Sequence, residues 1–204
     1  MSNKYFVTAI GTDSGKTVVS AILAYALKAD YWKPIQAGYP TDTTTIKNWI
    51  GESIYYHPEG YLLEQPMSPH AAAKRDGVEV NLNKIKVPKT NNDLVIEGAG
   101  GLLVPVNDQD NVVDLVKRFE AEIILVSNHY LGSINHTLLS YEYLKQNGYK
   151  VLGIVFNGEE NEETERIILK RTRLPFLFRV DQEKVVDQEM LEKYKPFALK
   201  ALER

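Results

Sequence analysis

Cysteine is absent from this 204-residue chain. Its absence excludes a disulfide framework, zinc sites built from thiolates and a cysteine nucleophile. The chain has no excess of positive charge either: it contains 24 Lys and Arg residues and 27 Asp and Glu residues, which gives a formal net charge of −3. No global positive field is available to recruit nucleic acid or an anionic membrane, and we expect neither as a partner.

Long hydrophobic runs are missing as well. The longest apolar run follows Lys16 and is far shorter than the ~20 residues that a membrane-spanning helix needs. Met1–Lys4 leads directly into a predicted strand without the apolar region of a signal peptide, so a cytoplasmic location is expected. A hydrophobic content of 44% and a charged content of 25% are typical of a globular protein, and the length predicts one domain over residues 1–204.

Nearly continuous apolar runs predict strands that are buried on both faces, as in a parallel sheet. The runs are Tyr5–Ile10, Asp93–Ile96, Glu122–Ser127 and Val151–Phe156. Helical patterns alternate with them, at Thr17–Lys28, Asn111–Phe119, Ser133–Asn147 and Asn161–Arg173, and a further helix begins at Ser68-Pro69-His70. This alternation predicts an α/β fold: a single doubly wound, mostly parallel sheet flanked by helices.

Three local features add to this prediction. The stretch Tyr55–Gln65 shows no period, and we expect a surface excursion there. Asp187–Arg204 has a helical period but contains Pro196, which predicts a kink because proline removes a backbone donor. Ser133 is the predicted N-cap of its helix, and no acidic residue occupies the first turn, so the free N–H groups there are open to an external anion.

A glycine-rich turn joins the first strand to the first helix and reads Gly11-Thr12-Asp13-Ser14-Gly15-Lys16-Thr17. Small residues let backbone N–H groups turn inward, and the helix N-terminus adds a positive dipole, so the turn is suited to phosphate. Lys16 would reach the β- and γ-phosphates, and the Thr17 hydroxyl would join a Mg²⁺ shell. Ile10 stands where the strict P-loop spacing has its first glycine, and a glycine-rich turn that binds nothing is the alternative.

A carboxylate follows the second apolar run, in Glu97-Gly98-Ala99-Gly100-Gly101. Ligands of open α/β sheets bind at the carboxyl ends of the strands, where Glu97 could be a second Mg²⁺ ligand. The alternative is a plain carboxylate between strand and turn. Lys33, within Tyr31–Gly38, stands beside an aromatic residue and by itself is typical of a surface lysine whose stem covers apolar atoms.

Taken together, these segments resemble the dethiobiotin synthetase family, nearly colinearly over the whole chain. The matching stretches are YFVTAIGTDSGKTVVSAIL, YWKPIQAG, MSPHAAAKRDG, VIEGAGGLLVPVN, LGSINHTLLS and GIVFN. The resemblance implies a P-loop NTPase type of fold and an ATP-dependent ring closure. In that family diaminopelargonic acid takes up CO₂ as a carbamate, ATP converts the carbamate to a carbamic-phosphoric anhydride, and the second amine closes the cyclic urea.

The resemblance also implies a role for individual residues. Lys33 would hold the carbamate, and Lys16 would be shared between the phosphates and the carbamate. The implied Mg²⁺ ligands are Thr17, Asp42 and Glu97. The implied ATP contacts are Thr12, Asp13, Ser14, Gly15, Lys16, Thr17, Asp42, Glu97, Gly98, Ala99, Gly100 and Asn157, the last at the adenine edge. The implied substrate contacts are Thr12, Lys33, Ala37, Gly132, Ser133 and Asn135, of which the last three would come from the other subunit of a homodimer.

The chain departs from the family pattern at three positions. Ala9 stands where many relatives have the first glycine of the loop. Ala37 stands where relatives often have a serine that contacts the substrate. Asp181 falls near the position at which relatives have a proline in the nucleobase pocket. The alternative function is a regulatory or partitioning ATPase of the same superclass. Its loop resembles K-G-G-x-G-K-[ST], and Gly11 occupies the position of its marker lysine here.

Overall fold

The computed structural model describes residues 2–203. In this part of the chain the strands are Lys4–Ala9 (β1), Asp30–Trp32 (β2), Ile35–Ala37 (β3), Tyr56–His57 (β4), Tyr61–Leu63 (β5), Leu94–Gly101 (β6), Glu122–Asn128 (β7), Val151–Asn157 (β8) and Phe176–Val180 (β9). The α-helices are Lys16–Leu27 (α1), Asp42–Ile50 (α2), Pro69–Arg75 (α3), Asp114–Phe119 (α4), Ser133–Gln146 (α5), Glu162–Thr172 (α6) and Gln188–Leu202 (α7). A 3₁₀ helix spans Leu82–Lys84.

Seven of the described strands form one sheet in the order β4-β2-β6-β1-β7-β8-β9, and each neighbouring pair is parallel. β3 and β5 form a separate parallel pair. The predicted α/β fold with a parallel sheet is confirmed. The four strands predicted from apolar runs lie side by side at the centre, as β6, β1, β7 and β8. Their carboxyl ends form the edge at which open sheets of this type bind ligands.

Successive residues of the central strands fill two separate cores, one on each face of the sheet. Val7 and Val95 belong to the core that contains α1 and α7, whereas Phe6 and Ile96 belong to the core on the opposite face. α1 is apolar almost all round and is deeply buried between the sheet and α7, as its composition predicts. The α1 helix therefore has a fixed position, and so does the loop that precedes it.

The segment Tyr55–Gln65 differs from its prediction as a surface excursion. It contains β4, which forms an edge of the large sheet, and β5, which pairs with β3. His57 and Leu63 are buried, and the backbone N–H groups of Gly60 and Tyr61 both donate to the Pro34 carbonyl. The strands have two and three residues, too few for a periodic pattern, which is why the sequence does not reveal them.

Two other predicted boundaries need correction. The strand predicted at Asp93–Ile96 continues through Gly101, because β1 offers it hydrogen-bonding partners as far as Ala9. Glu97 therefore lies inside β6 and not at its end. The helix predicted from Asn111 begins at Asp114, because the Asn111 backbone N–H donates to the Asp114 carboxylate in a turn before the helix.

The C-terminal segment is helical as predicted, and Asp187 caps it with a side chain that accepts from the Met190 N–H. The helix α7 is continuous through Pro196, where the sequence predicted a kink. Arg204, the last residue of the predicted helix, lies outside the described residues. Among the helices of residues 2–203, none combines the length and the apolar character that crossing a bilayer requires.

Candidate active site

The phosphate loop, residues 11–15, connects β1 to α1. Gly15 precedes α1 with a φ of 93°, and Asp13 has a φ of 55°, so the loop turns through two left-handed residues. Behind it, the Asn157 carboxamide donates to the Ser14 carbonyl at 3.1 Å. A Cβ on Gly15 would collide with that carboxamide. Both the backbone conformation and the packing therefore require glycine at this position.

Lys16 is buried at the start of α1, and its ammonium donates to the Gly11 carbonyl at 3.0 Å. Burial, with a smaller contribution from the charge of Lys33, lowers the pKa of Lys16 to about 8. The charged form is costly because the carboxylates of Glu97, Asp42 and Asp13 offset only part of the lost hydration. An anion bound in the loop would supply the missing compensation.

Glu97 is the residue on which the site converges. It is 1% exposed and lies within β6. Its Oε1 accepts from the Thr17 hydroxyl at 2.9 Å and from the Lys33 ammonium at 3.0 Å, and its Oε2 accepts from the Tyr31 hydroxyl at 2.9 Å. Both oxygens of this buried carboxylate are thus hydrogen-bonded, as a charge removed from water requires.

Lys33 is 3% exposed, so its interpretation as a surface lysine is wrong. Its ammonium also donates to the Gly98 carbonyl at 3.1 Å and lies 2.6 Å from Asp42 Oδ2. Burial alone would lower the pKa of Lys33, but Glu97 and Asp42 outweigh that effect and raise the pKa above its ordinary value. Lys33 is therefore a buried positive charge that is held between two carboxylates.

Asp42 is brought to the site by Gln36, a residue that sequence reasoning did not single out. The Asp42 backbone N–H donates to Gln36 Oε1 at 3.1 Å, while Gln36 Nε2 donates to the Gly38 carbonyl at 3.1 Å. Thr41 caps α2 by accepting from the Thr44 N–H. Gln36 thus connects the turn after Lys33 with the first residue of α2. The available signal in the sequence was a single amide side chain between apolar neighbours, in Ile35-Gln36-Ala37.

The oxygens of Thr17, Asp42 and Glu97 form a donor set that fits Mg²⁺. The Lys33 ammonium pairs with both carboxylates, Asp42 and Glu97, and so already brings a positive charge to this donor set. In residues 2–203, no three His, Cys, Asp or Glu side chains lie close enough to form a metal centre by themselves. Mg²⁺ suits such a set, because it is commonly held by one or two carboxylates while substrate phosphates and water complete its shell.

A cavity of about 870 Å³ connects these groups. Its lining includes most of the residues that the sequence singled out: Thr12, Asp13, Ser14, Gly15, Lys16, Thr17, Lys33, Ala37, Asp42, Glu97, Ala99 and Gly100. Gly98 and Asn157 are not part of this lining. Gly98 offers its carbonyl to Lys33, and a Cβ there would approach Phe6 to 2.9 Å, whereas Asn157 supports the loop from behind.

Gly132, Ser133 and Asn135 line a second cavity, of about 810 Å³, so one chain does not bring them together with Lys33. The predicted N-cap at Ser133 is wrong. Gly132 is the N-cap, with a φ of 108° that glycine adopts readily, and Ser133 is the buried first residue of α5. The first turn of α5 contains no acidic residue, as predicted, and Asn135 is exposed.

Comparison with known proteins decides the family. The sequence matches the family model of an AAA domain over residues 3–190. It is 59% identical over 195 residues to the ATP-dependent dethiobiotin synthetase BioD of Cytophaga hutchinsonii, covering 94% of each chain. It is 48% identical over 198 residues to the enzyme of that name from Christiangramia forsetii, covering 95% of each chain. The chain belongs to the dethiobiotin synthetase family.

The fold is similar to that of solved ATPase structures. One is a ParA family ATPase from Chlorobium tepidum, which superposes with a TM-score of 0.61 at 14% sequence identity; the match covers 98% of this chain and 92% of that chain. The cell division ATPase MinD of Pyrococcus furiosus has a TM-score of 0.63 and 18% identity, with coverage of 98% and 97%. At such identities the likeness shows the fold alone, and the predicted fold of P-loop NTPase type is confirmed. The dethiobiotin synthetase relatives, and not these, decide against the partitioning ATPase.

Proposed function

We propose that the cavity between the phosphate loop and Lys33 is where this ATP-dependent dethiobiotin synthetase, a ligase of biotin biosynthesis, closes its cyclic urea. The observation that carries the proposal is the buried Lys33 ammonium, held between Glu97 and Asp42 in a cavity that the phosphate loop also lines. A protein that only binds nucleotide and catalyses no reaction would not need a buried lysine facing a triphosphate site. The proposed substrates are diaminopelargonate, CO₂ and ATP.

The reaction requires two anions, a carbamate and a triphosphate, to approach each other, which costs energy unless cations stand between them. Lys33 would hold the carbamate oxygens, and Lys16 would lie between the carbamate and the γ-phosphate. Transfer of a phosphoryl group depends mainly on positioning and on electrostatic stabilisation of the charge that develops. When bound by Thr17, Asp42 and Glu97, Mg²⁺ supplies further neutralisation of phosphate charge.

The two chemical steps follow from this arrangement. A carbamate oxygen forms a bond to the γ-phosphorus as the bond to the β-phosphate oxygen breaks, and ADP leaves. The second amine then forms a bond to the carbamate carbon, phosphate leaves with the former carbamate oxygen, and the amine loses a proton. In both steps Lys33 would hold the negative charge of the reacting oxygens.

The homodimer is part of the proposal. The diamine substrate has a carboxylate at the end of an aliphatic chain, far from the amines that react. In a single chain, the helix N-terminus at Gly132–Asn135 lines a different cavity from Lys33. This separation supports the proposal that the partner subunit supplies this segment to the active site. The first turn of α5 contains no acidic residue, and its backbone N–H groups would receive the carboxylate. The need for ATP supports a cytoplasmic location.

The test is incubation of the purified protein with ATP, Mg²⁺, bicarbonate and diaminopelargonate, followed by mass spectrometry. The expected result is the cyclic urea product, formed in equal amount to ADP. Hydrolysis of ATP without that product would contradict the synthetase assignment and favour an ATPase switch. Omitting bicarbonate under CO₂-free gas is the matched control and should abolish product formation.

A further inference from the structure

Tyr31 is a polar residue at the centre of the molecule that the mechanism above does not use. It lies in the middle of β2, between β6 and β4, and its side chain is completely buried. The ring packs among apolar residues of the core that contains Ile46 and Ile50 of α2. Burial explains the ring, but a phenylalanine would fill the same space without a hydroxyl that needs a partner.

The hydroxyl of Tyr31 donates to Glu97 Oε2 at 2.9 Å, and this bond is buried. The other oxygen of the same carboxylate, Oε1, accepts from Thr17 and Lys33. Tyr31 therefore holds the carboxylate from the core side while the site groups hold it from the cavity side. A carboxylate that is bonded on both oxygens from opposite directions has a fixed rotation about its last side-chain bond.

We propose that Tyr31 is a positioning residue, which orients Glu97 so that Oε1 faces Thr17 and the metal and phosphate site. This inference rests on the proposed role of Glu97 as a Mg²⁺ ligand. Hydrogen-bonding partners behind a ligating carboxylate commonly fix its orientation, and their loss lowers metal affinity about 10- to 100-fold. Tyr31 does not itself line the cavity, and its hydroxyl is linked to the site through the hydrogen bond to Glu97.

The test uses Tyr31→Phe, which removes the hydroxyl and keeps the ring. Tyr56→Phe is the matched control, because Tyr56 contacts the ring of Tyr31 edge-on but donates its hydroxyl to the Gly51 carbonyl. Binding of Mn²⁺ to each protein with a non-hydrolysable ATP analogue is measured by electron paramagnetic resonance. We expect Mn²⁺ affinity to fall about tenfold in Tyr31→Phe and to stay within twofold in Tyr56→Phe. Equal affinities in the two variants would overturn the proposal.

A double-mutant cycle with Glu97→Gln tests whether Tyr31 acts through Glu97. If it does, Tyr31→Phe changes Mn²⁺ affinity little further once the carboxylate is gone, whereas fully additive effects overturn the proposal. A second measurement uses the wild-type protein and so does not depend on folding of a variant. In crystals with Mg²⁺ and the ATP analogue, the Tyr31 hydroxyl is expected within hydrogen-bond distance of Glu97, and a Glu97 turned away from Tyr31 overturns the proposal.

The same experiments separate this inference from the proposed function. Failure of the wild-type protein to form the cyclic urea counts against the function. Unchanged Mn²⁺ affinity in Glu97→Gln counts against the metal site. A third outcome counts against the role of Tyr31 alone. In that outcome the wild-type protein forms the product and its Mn²⁺ affinity depends on Glu97, but Tyr31→Phe leaves the Mn²⁺ affinity unchanged.

Discussion

The ammonium of Lys33 lies 2.6 Å from the Asp42 carboxylate, although the two residues stand on different elements, one after β2 and the other at the start of α2. Glu97, in β6, lies 3.0 Å from the same ammonium. When a carbamate is present, it can share this lysine with the two carboxylates. The charge that we propose stabilises the reacting oxygens is therefore held in place by two carboxylates.

Lys33→Ala is expected to reduce turnover by ~10²-fold or more, about 3 kcal/mol of transition-state stabilisation. Binding of ATP should change much less, because the phosphate loop is retained. Turnover and nucleotide binding are measured separately, with thermal unfolding as a check, since the variant leaves Glu97 buried without its cation. Lys47→Ala, at an exposed lysine paired with Glu52, is the control. Near-normal turnover in Lys33→Ala would remove Lys33 from the mechanism.

Asp42→Asn and Glu97→Gln keep side-chain volume and remove a charge. We expect both to raise the Mg²⁺ concentration needed for half-maximal activity, because each removes an anionic oxygen from the proposed metal shell. Asp42 has a partly exposed side chain, so its variant should retain stability, whereas Glu97→Gln also weakens the buried pair with Lys33. Activity is titrated with Mg²⁺ at fixed ATP, with Glu52→Gln as control. If neither titration moves, the two carboxylates do not share a metal.

Completion of the site by a partner subunit can be tested by mixing variants. Ser133 is buried, so the exposed Asn135 is the better target, and Asn135→Asp adds a negative charge where the substrate carboxylate would bind. This variant and Lys33→Ala should each be poorly active, yet a mixed dimer contains one site with neither change and should regain activity. Asn147→Asp, at the other end of α5, is the control and should not weaken substrate binding. Mixed dimers that form and stay inactive would contradict the shared site.

The pKa of Lys16, lowered to about 8 by burial, predicts a pH dependence of ATP binding. Phosphate stabilises the protonated lysine, so binding raises its pKa, and above pH ~8 binding must take up a proton. Affinity should be nearly constant below pH ~7 and should fall towards tenfold per pH unit above pH ~8. Calorimetry from pH 7 to pH 9.5 measures both affinity and proton uptake.

Lys16→Arg provides the control for this titration, because a guanidinium keeps its charge over the whole range. The variant is expected to lose the pH dependence even if its affinity is lower. A wild-type affinity that is flat up to pH 9.5, or a slope that persists in Lys16→Arg, would show that Lys16 does not carry the effect.

The sequence predicted the centre of the fold and the phosphate loop because both have strong local signals. The central strands are continuous apolar runs, and Lys16 and Thr17 follow a glycine-rich turn between a strand and a helix. A second strand was expected within Tyr31–Gly38, where β2 ends, but β3, β4 and β5 were not predicted, since strands of two or three residues show no period. Their pairing depends on residues far away along the chain.

The site was predictable only in part for a similar reason. Residue types alone indicated Lys16, Thr17 and Glu97, whereas Lys33 and Asp42 were assigned through the family resemblance. Tyr31 and Gln36 were not assigned, because nothing nearby in the sequence indicates their hydrogen-bonding partners. Tyr31 bonds a residue 66 positions away, and only the pairing of β2 with β6 brings the two together.

The position of β1 in the sheet has a consequence for synthesis of the protein on the ribosome. β1 is the first strand to be made, but its neighbours are β6 and β7, so its backbone has no partner until residues 94–126 have followed. A nascent chain that ends before β7 contains the whole phosphate loop sequence and still lacks the framework that shapes it. Affinity for nucleotide is therefore acquired late in translation, when most of the polypeptide has left the ribosome, and truncated fragments of the N-terminal half should not retain ATP.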